Sequence, residues 1–331
     1  MSFESCYAPP DPLVWQGYAD VLPHAYFYQH IQSVDLTLHS INKTADITFA
    51  LLGFKCDEGI QRDLGRAGAF EGPTAIRQYL AKLPIHNLDI HCYDIGNIIC
   101  QDHDLEKSQE ALSEIIALLL KKNIRVMLMG GGHELAFGHY LGMKKVYPAE
   151  KKIGIINFDT HFDLHLLGPS HKGSSKTTFY QIAEDHRKTQ RRFDYNCIGI
   201  QHTRNSRQLF ETAKEYKTQF ILADDLHQGL QEKSFNFIDR VVDENDMIYV
   251  SLSLDVFSSA FAPGVSATQP LGLNPWHVIP LLRQVAASGK VMGYDIAELA
   301  PRYDIDHRTA KLAAMLVYEI IHHHHEHYKI S

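Results

Sequence analysis

Cysteine is scarce and scattered in this 331-residue chain: Cys6, Cys56, Cys92, Cys100 and Cys197, with no CxxC pair. That pattern fits a reducing cytoplasm better than a disulfide framework. Positive charge is also in deficit. The formal net charge of -7 argues against a general nucleic-acid binder, which normally shows a basic excess. No uninterrupted apolar run approaches the roughly 20 residues needed to span a bilayer, so no membrane partner is expected. The opening MSFESCYAPPDPLVWQ has no basic patch followed by an apolar stretch, so no signal peptide is expected and the cytoplasm is the expected location. Internal repeats and long linkers are missing too, which favours one domain. Gly65, Gly68 and Gly72 mark a loop, but no Walker-type lysine follows them, and a phosphate cradle is excluded.

What is present is the composition of an ordinary globular protein, 45% hydrophobic and 21% charged. A chain this long can bury a large core without staples. The first 45 residues are aromatic, proline-bearing and irregular. They read as an extension (1–45), Trp15 included, packed on a single body (46–331) or on a neighbouring subunit. From Ile47 onward, short apolar runs alternate with helical patterns. The runs are ITFALLGF (47–54), IRVMLM (124–129), KIGIINF (152–158), YNCIGI (195–200), MIYVSLSL (247–254) and VMGYDIA (291–297). Near-continuous apolar strands are buried on both faces, as parallel strands covered by helices are. Leu112, Ile115, Ile116 and Leu119 recur at helical spacing within 104–122, as do Leu312, Leu316 and Ile320 within 309–321. The alternation predicts an α/β fold with a doubly wound, mostly parallel sheet.

In open α/β sheets, ligands bind beyond the C-terminal ends of the strands. Here Gly130-Gly131-Gly132-His133-Glu134 follows IRVMLM, and Asp159-Thr160-His161-Phe162-Asp163 follows KIGIINF. Asp255 ends MIYVSLSL and Glu298 ends VMGYDIA. Each motif alone reads equally well as a polar loop. Together, at four strand ends, they form the kind of cluster that marks functional sites. Asp159, His161 and Asp163 alternate as an extended segment and project toward one face. Carboxylates with imidazoles suit Mn²⁺, Fe²⁺ or Zn²⁺, and no cysteine lies near enough to suggest a thiolate site.

GGGHE, NFDTHFD, SLSLDVFSSAFAPGVSA and DIAELAP, in this order, resemble the four signature blocks of the arginase–agmatinase–formimidoylglutamase (ureohydrolase) family. The resemblance runs from about Ile47 to the C-terminal helix. It implies a three-layer α/β/α fold and a dinuclear Mn²⁺ centre, two ions per chain, whose hydroxide attacks a guanidine or amidine carbon. Carried over by position, His133 would bind one metal and His161 the other, with Asp159 bridging them. Asp163 would orient the nucleophile and Asp255 would chelate the second metal. Glu298 stands where the family's pocket carboxylate pairs with the cationic substrate group. The third block departs from the S-x-D-x-D pattern, because Ser253 occupies the place of the first aspartate in Ser251-Leu252-Ser253-Leu254-Asp255. A hydroxyl replacing an anion between two dications predicts a weak second site, with Asp295 or Glu134 as candidate compensating acids.

The same resemblance leans toward the formimidoylglutamase branch, whose members convert N-formimidoyl-L-glutamate and water to L-glutamate and formamide in histidine degradation. GGGHE followed by LAFGH (130–139), LGFKCDEGI leading into GRAGA, and FAPGVSA (261–267) carry it. Ser174–Phe179 resembles that branch's SSGTPF-like loop, from which Lys176 and Thr178 depart. Arginase's proton-shuttle histidine would fall near Ser175. A substrate with two carboxylates asks for cations at the rim, and Lys172, Lys176, Arg204 and Arg207 are the candidates, read equally well as solvated surface charges. The alternatives are hydrolysis of another guanidino compound, and a catalytically impaired relative acting as a binding or scaffold subunit. Homo-oligomerisation is expected from the resemblance. His202, His277 and His307 read as structural, and His322–His327 as a continuation of the last helix.

Overall fold

The computed structural model describes residues 2–19, 21–86 and 89–326, with side chains as far as His324. Among these residues ten strands form one sheet. They are β1 (Tyr7–Ala8), β2 (Gln32–Ser33), β3 (Ile47–Lys55), β4 (Ile90–Ile99), β5 (Arg125–Gly130), β6 (Ile153–Phe158), β7 (Asp194–Ile200), β8 (Gln219–Leu222), β9 (Met247–Ser253) and β10 (Val291–Ala297). Their order is β1-β4-β3-β5-β10-β9-β6-β7-β8, with β2 also on β4. The pairings from β4 through to β8 are all parallel, and β1 runs antiparallel to β4. Every residue of β5, β6 and β7 is buried, the reason these runs are mostly apolar.

Two hydrophobic cores flank the sheet, giving three α/β/α layers. One packs the helices Gly72–Leu80, Gln231–Glu244, Pro275–Ala287 and Arg308–Glu326 against it. The other packs Leu105–Lys121, Leu135–Val146, Thr178–Lys188 and Arg207–Glu215. The helix Leu105–Lys121 starts where Asp104 accepts a hydrogen bond from the Lys107 amide at 3.0 Å. Its stripe of Leu112, Ile115, Ile116 and Leu119 is fully buried, worth about 6–12 kcal/mol of gross transfer free energy at about 1.5–3 per side chain. Gly138 and Gly142 on the neighbouring helix admit that stripe. A Cβ at Gly142 would lie 2.6 Å from Ile116, so a larger residue there would push the two helices apart.

β4 is absent from the apolar runs of the sequence because it carries Asp94 and Asn97, which are satisfied by partners from outside the strand. Asp94 is fully buried, 2.8 Å from the Arg77 guanidinium and 2.7 Å from the Trp15 indole nitrogen. Asn97 accepts from Arg77 at 2.9 Å. A buried charge so paired is tolerable in a strand that hydropathy alone would reject. The N-terminal segment is tied in by the same contacts: Trp15 is buried, and β1 and β2 lie along the outer edge of β4, shielding an otherwise open edge. Gly72 does not belong to a loop, since it opens the helix Gly72–Leu80. The histidines outside the strand ends pack on rings, His202 on Phe210, His277 on His227 and His307 on Tyr79. The last helix continues through Glu326, and His327 lies outside the described residues. No helix among the described residues is long and apolar enough to cross a membrane.

Candidate metal centre

The four chemical blocks follow β5, β10, β9 and β6, which are adjacent in the sheet although far apart in the chain. The glycine run after β5 threads between its neighbours. Gly131 donates to the Phe54 carbonyl and Gly132 to the Cys56 carbonyl, both at 2.9 Å, while Glu298 donates to the Gly131 carbonyl at 2.8 Å. A Cβ at Gly131 would lie 2.0 Å from the Cys56 oxygen, so only glycine permits the approach that delivers His133 to the pocket. Asp163 and Glu298 have left-handed backbones, with φ of 48° and 74°. Such strain in non-glycine residues concentrates at functional sites.

His133 Nδ1 lies 3.0 Å from Asp159 Oδ2 and 3.0 Å from Asp163 Oδ2, yet no hydrogen bond of acceptable angle reaches it. The other ring nitrogen explains why. Nε2 is 2.8 Å from Ser251 Oγ, and that hydroxyl donates to Asp295 Oδ1 at 2.5 Å. Ser251 therefore accepts from His133 Nε2–H, which leaves the Nδ1 lone pair facing two carboxylates, as in an oriented metal ligand. On the other side, His161 Nδ1 is 3.4 Å from Asp159 Oδ1 and 3.3 Å from Asp255 Oδ2. Ligand atoms of His133, Asp159 and Asp163 lie within 4.8 Å of one another, as do those of Asp159, His161 and Asp255. Asp159 belongs to both groups.

The electrostatics call for cations. Burial, then the Asp159 charge, pushes Asp163 up to about 6, and the same two causes raise Asp255. Burial, followed by Asp255 and Glu134, pushes Glu298 up to about 8. Buried carboxylates that resist ionising together, around an unused imidazole lone pair, suit a pair of divalent ions.

These residues line a pocket of about 80 Å³ together with Ile60, Gly65, Ser266 and Ala267. Ser253 also lines it and donates to Asp255 Oδ1 at 2.7 Å. Neither proposed compensating acid is there. Asp295 is hydrogen-bonded by Ser251, Tyr249 and His139. Glu134 accepts from Cys56 and the Gly59 amide. Both are spent on supporting the walls. Of the rim cations, Lys176 lines the pocket, and Lys172 joins it in a neighbouring cavity of about 480 Å³. Arg204 does not line the pocket, its guanidinium donating to the Thr268 carbonyl at 3.3 Å. Arg207 is 93% exposed and paired with Glu211. Both arginines sit where their partners hold them outside. Two serines that the sequence placed in the matching blocks, without a role, contribute to the pocket. Ser175 donates to Glu298 Oε1 at 2.9 Å beside the His133 amide at 2.8 Å. Ser266 accepts from the Arg66 amide. The local pattern does not show what either serine bonds to, because each partner lies more than 100 residues away.

The arginase family matches residues 47–323, and the chain belongs to it. It is 41% identical over 317 residues to a formimidoylglutamase of Legionella pneumophila (strain Paris), covering 96% of this chain and 98% of that one. It is 39% identical over 323 residues to one of Clostridium tetani, covering 95% of each. Among solved structures, formimidoylglutamase from Bacillus subtilis aligns with a TM-score of 0.76 at 21% identity, over 89% of this chain and 90% of that one. Trypanosoma cruzi formiminoglutamase with Mn²⁺ aligns with a TM-score of 0.75 at 22% identity, over 86% and 94%.

Proposed function

We propose that this protein is a metal-dependent hydrolase of a linear amidine C–N bond, acting on N-formimidoyl-L-glutamate to give L-glutamate and formamide. The observation that carries the proposal is the pair of ligand groups sharing Asp159, set beside the buried Glu298 in one pocket. The curated relatives named formimidoylglutamase, similar over nearly the whole chain, support the substrate. His133, Asp159 and Asp163 would hold one Mn²⁺, and Asp159, His161 and Asp255 a second. When bound, the ions supply an activated water nucleophile near neutral pH and charge stabilisation at the reacting carbon.

The chain's own residues do the rest. Glu298 Oε1 is occupied by the His133 amide and Ser175, which leaves Oε2 to accept from the amidinium and fix its plane. Asp163 orients the attacking water and takes its proton. Addition of that oxygen to the amidinium carbon forms the new C–O bond; the C–N bond to the glutamate nitrogen then breaks as the proton held by Asp163 passes to that nitrogen, and loss of the hydroxyl proton leaves formamide. Lys176 at the mouth meets a substrate carboxylate. The small pocket excludes bulk water, which strengthens each of these contacts. The five free thiols support a cytoplasmic setting, and exposed Leu271 and Trp276, at 73% and 64%, support self-association.

The test is an assay of Mn²⁺-loaded protein against formimidoyl-glutamate, arginine, agmatine and guanidinobutyrate with products resolved. Formimidoyl-glutamate should be turned over with the highest kcat/KM. Preference for agmatine would overturn the substrate, and full turnover in exhaustively metal-free protein would overturn the mechanism. Ser253 favours a second reading, an impaired relative with one tight metal, for which no substrate in that panel would be hydrolysed.

A further inference from the structure

We infer that Cys100 and Cys56 form a peroxide-reactive thiol pair, a modification site outside the metal pocket whose oxidation loosens the seat of His133. The sheet places the two side by side. Lys55 at the end of β3 is in register with Ile99 at the end of β4, and the Cys100 amide donates to the Lys55 carbonyl at 3.0 Å. Neighbouring strands run about 4.8 Å apart, within the Cα separation a disulfide spans, about 4.4–6.8 Å. Both cysteines line one surface cavity of about 270 Å³, with Glu58, Phe70 and His103.

The two thiols are unequal in the way a sensor pair needs. Cys100 is half-buried and opens to solvent, whereas Cys56 is fully buried. The neighbouring Cys56, and then Ser108 and Arg62, bring the Cys100 thiol down to about 7 against the opposing effects of burial and Glu58. A solvent-reachable thiolate beside a second cysteine is the arrangement that reacts selectively with peroxide. Elsewhere the thiols are inert by burial, Cys92 being pushed up to about 12 and Cys197 also raised.

The chemistry closes with a hydroperoxide as oxidant. The Cys100 thiolate attacks the peroxide oxygen, the O–O bond breaks, and sulfenic acid and water (after protonation) result. Cys56 then attacks the Cys100 sulfur, losing its proton as a second water leaves, and the S–S bond forms. Two thiols are oxidised and one peroxide is reduced to two waters. Cys56 would have to turn from its present partners. Its thiol donates to Glu134 Oε1 at 3.4 Å, and its carbonyl holds the Gly132 amide at 2.9 Å. Gly132 and Glu134 are the two residues flanking His133, so movement of Cys56 is felt on both sides of that ligand. This last link rests on the metal-site reading, but the thiol chemistry does not.

The experiment treats the full chain with stoichiometric hydrogen peroxide and follows intact mass, thiol titre and peptide linkage. Wild type should lose two of its five thiols, lose two hydrogens in mass, and show a Cys56–Cys100 cross-link that dithiothreitol reverses. Cys56→Ser should stop at one added oxygen on Cys100, trapped by dimedone. Cys100→Ser should form no disulfide. Oxidised wild type should bind Mn²⁺ about tenfold more weakly, the lower end of effects from disturbing a ligand's support, while peroxide-treated Cys100→Ser should not change. Equal oxidation of Cys92 or Cys197, or no internal disulfide, would overturn the thiol pair. A disulfide with unchanged Mn²⁺ affinity would overturn only its coupling to His133.

Discussion

Ser253→Asp is the substitution that separates this chain from its family's pattern most directly. Asp159, Asp163 and Asp255 offer three negative charges to a pair of ions carrying four positive ones. A carboxylate at 253 would restore the balance. A unit charge pair about 4 Å apart at an effective dielectric of about 20 is worth about 4 kcal/mol. Burying the new carboxylate costs several kcal/mol in return. A net gain of about 1.5–3 kcal/mol is expected, about a 10- to 100-fold tighter second metal. The metal-free protein should respond in the opposite sense. The Ser253 hydroxyl now donates to Asp255 at 2.7 Å, and the variant would put a like charge against a carboxylate already raised by burial and Asp159. The apo variant should therefore melt below the apo wild type and recover on adding Mn²⁺. Equilibrium dialysis with metal analysis measures the affinities, and thermal unfolding with and without Mn²⁺ measures the crossing. Two tight sites in the wild type, unchanged by the substitution, would refute the reasoning.

Asp159→Ala should empty both metal positions, whereas Asp163→Ala and His161→Ala should each weaken one, a contrast that metal stoichiometry reads directly. Ser251→Ala breaks the link from His133 to Asp295 and should weaken Mn²⁺ binding by about 10- to 100-fold, with imidazole NMR showing loss of the single tautomer. Lys176→Met should raise KM for formimidoyl-glutamate about tenfold, the order of one charge-assisted contact at about 1.5 kcal/mol, and leave an uncharged amidine unaffected. Arg204→Met should do less, since Arg204 lies outside the pocket. Glu298 sits at about 8 against an ordinary 4.5, so its contribution to stability is full below about 4.5 and is lost as pH rises through about 8. Metal-free wild type should lose thermal stability across that window more steeply than metal-free Glu298→Gln, and equal slopes would contradict the burial argument.

Strands and site were legible wherever one physical cause dominated. β5, β6 and β7 were readable because burial on both faces leaves mostly apolar residues, with Arg125, Asn157, Asp194 and Asn196 the polar exceptions. β4 was not, because Arg77 neutralises Asp94 inside the sheet, and that partner is supplied by a helix. Six acidic and imidazole side chains that converge on the pocket were visible because all of them follow strand ends. The rim was far less legible. Lys176 and Arg204 looked alike in sequence, yet one lines the pocket and the other bonds to the Thr268 carbonyl. Side chains on loops are placed by distant backbone that no local spacing encodes. The same holds for Ser175 and for the left-handed backbones of Asp163 and Glu298.

The order of strands carries a further consequence for how the site is held. His133 follows β5 and Asp159 follows β6, yet β10 and β9 lie between those two strands. The 3.0 Å approach of their side chains is made by loops passing over the ends of the two strands that arrive last in the chain. Ser251 on β9 and Asp295 on β10 are the residues that hold the His133 ring from beneath. The ligand geometry is therefore complete only when the C-terminal third of the chain has inserted into the sheet. Ions binding this geometry and not the unfolded chain stabilise the whole sheet by mass action, about 2.7 kcal/mol at a hundredfold excess over Kd. A weak second ion, as Ser253 implies, contributes little to that sum at trace metal. Its contribution then grows with added Mn²⁺ over a range where the first site is already full.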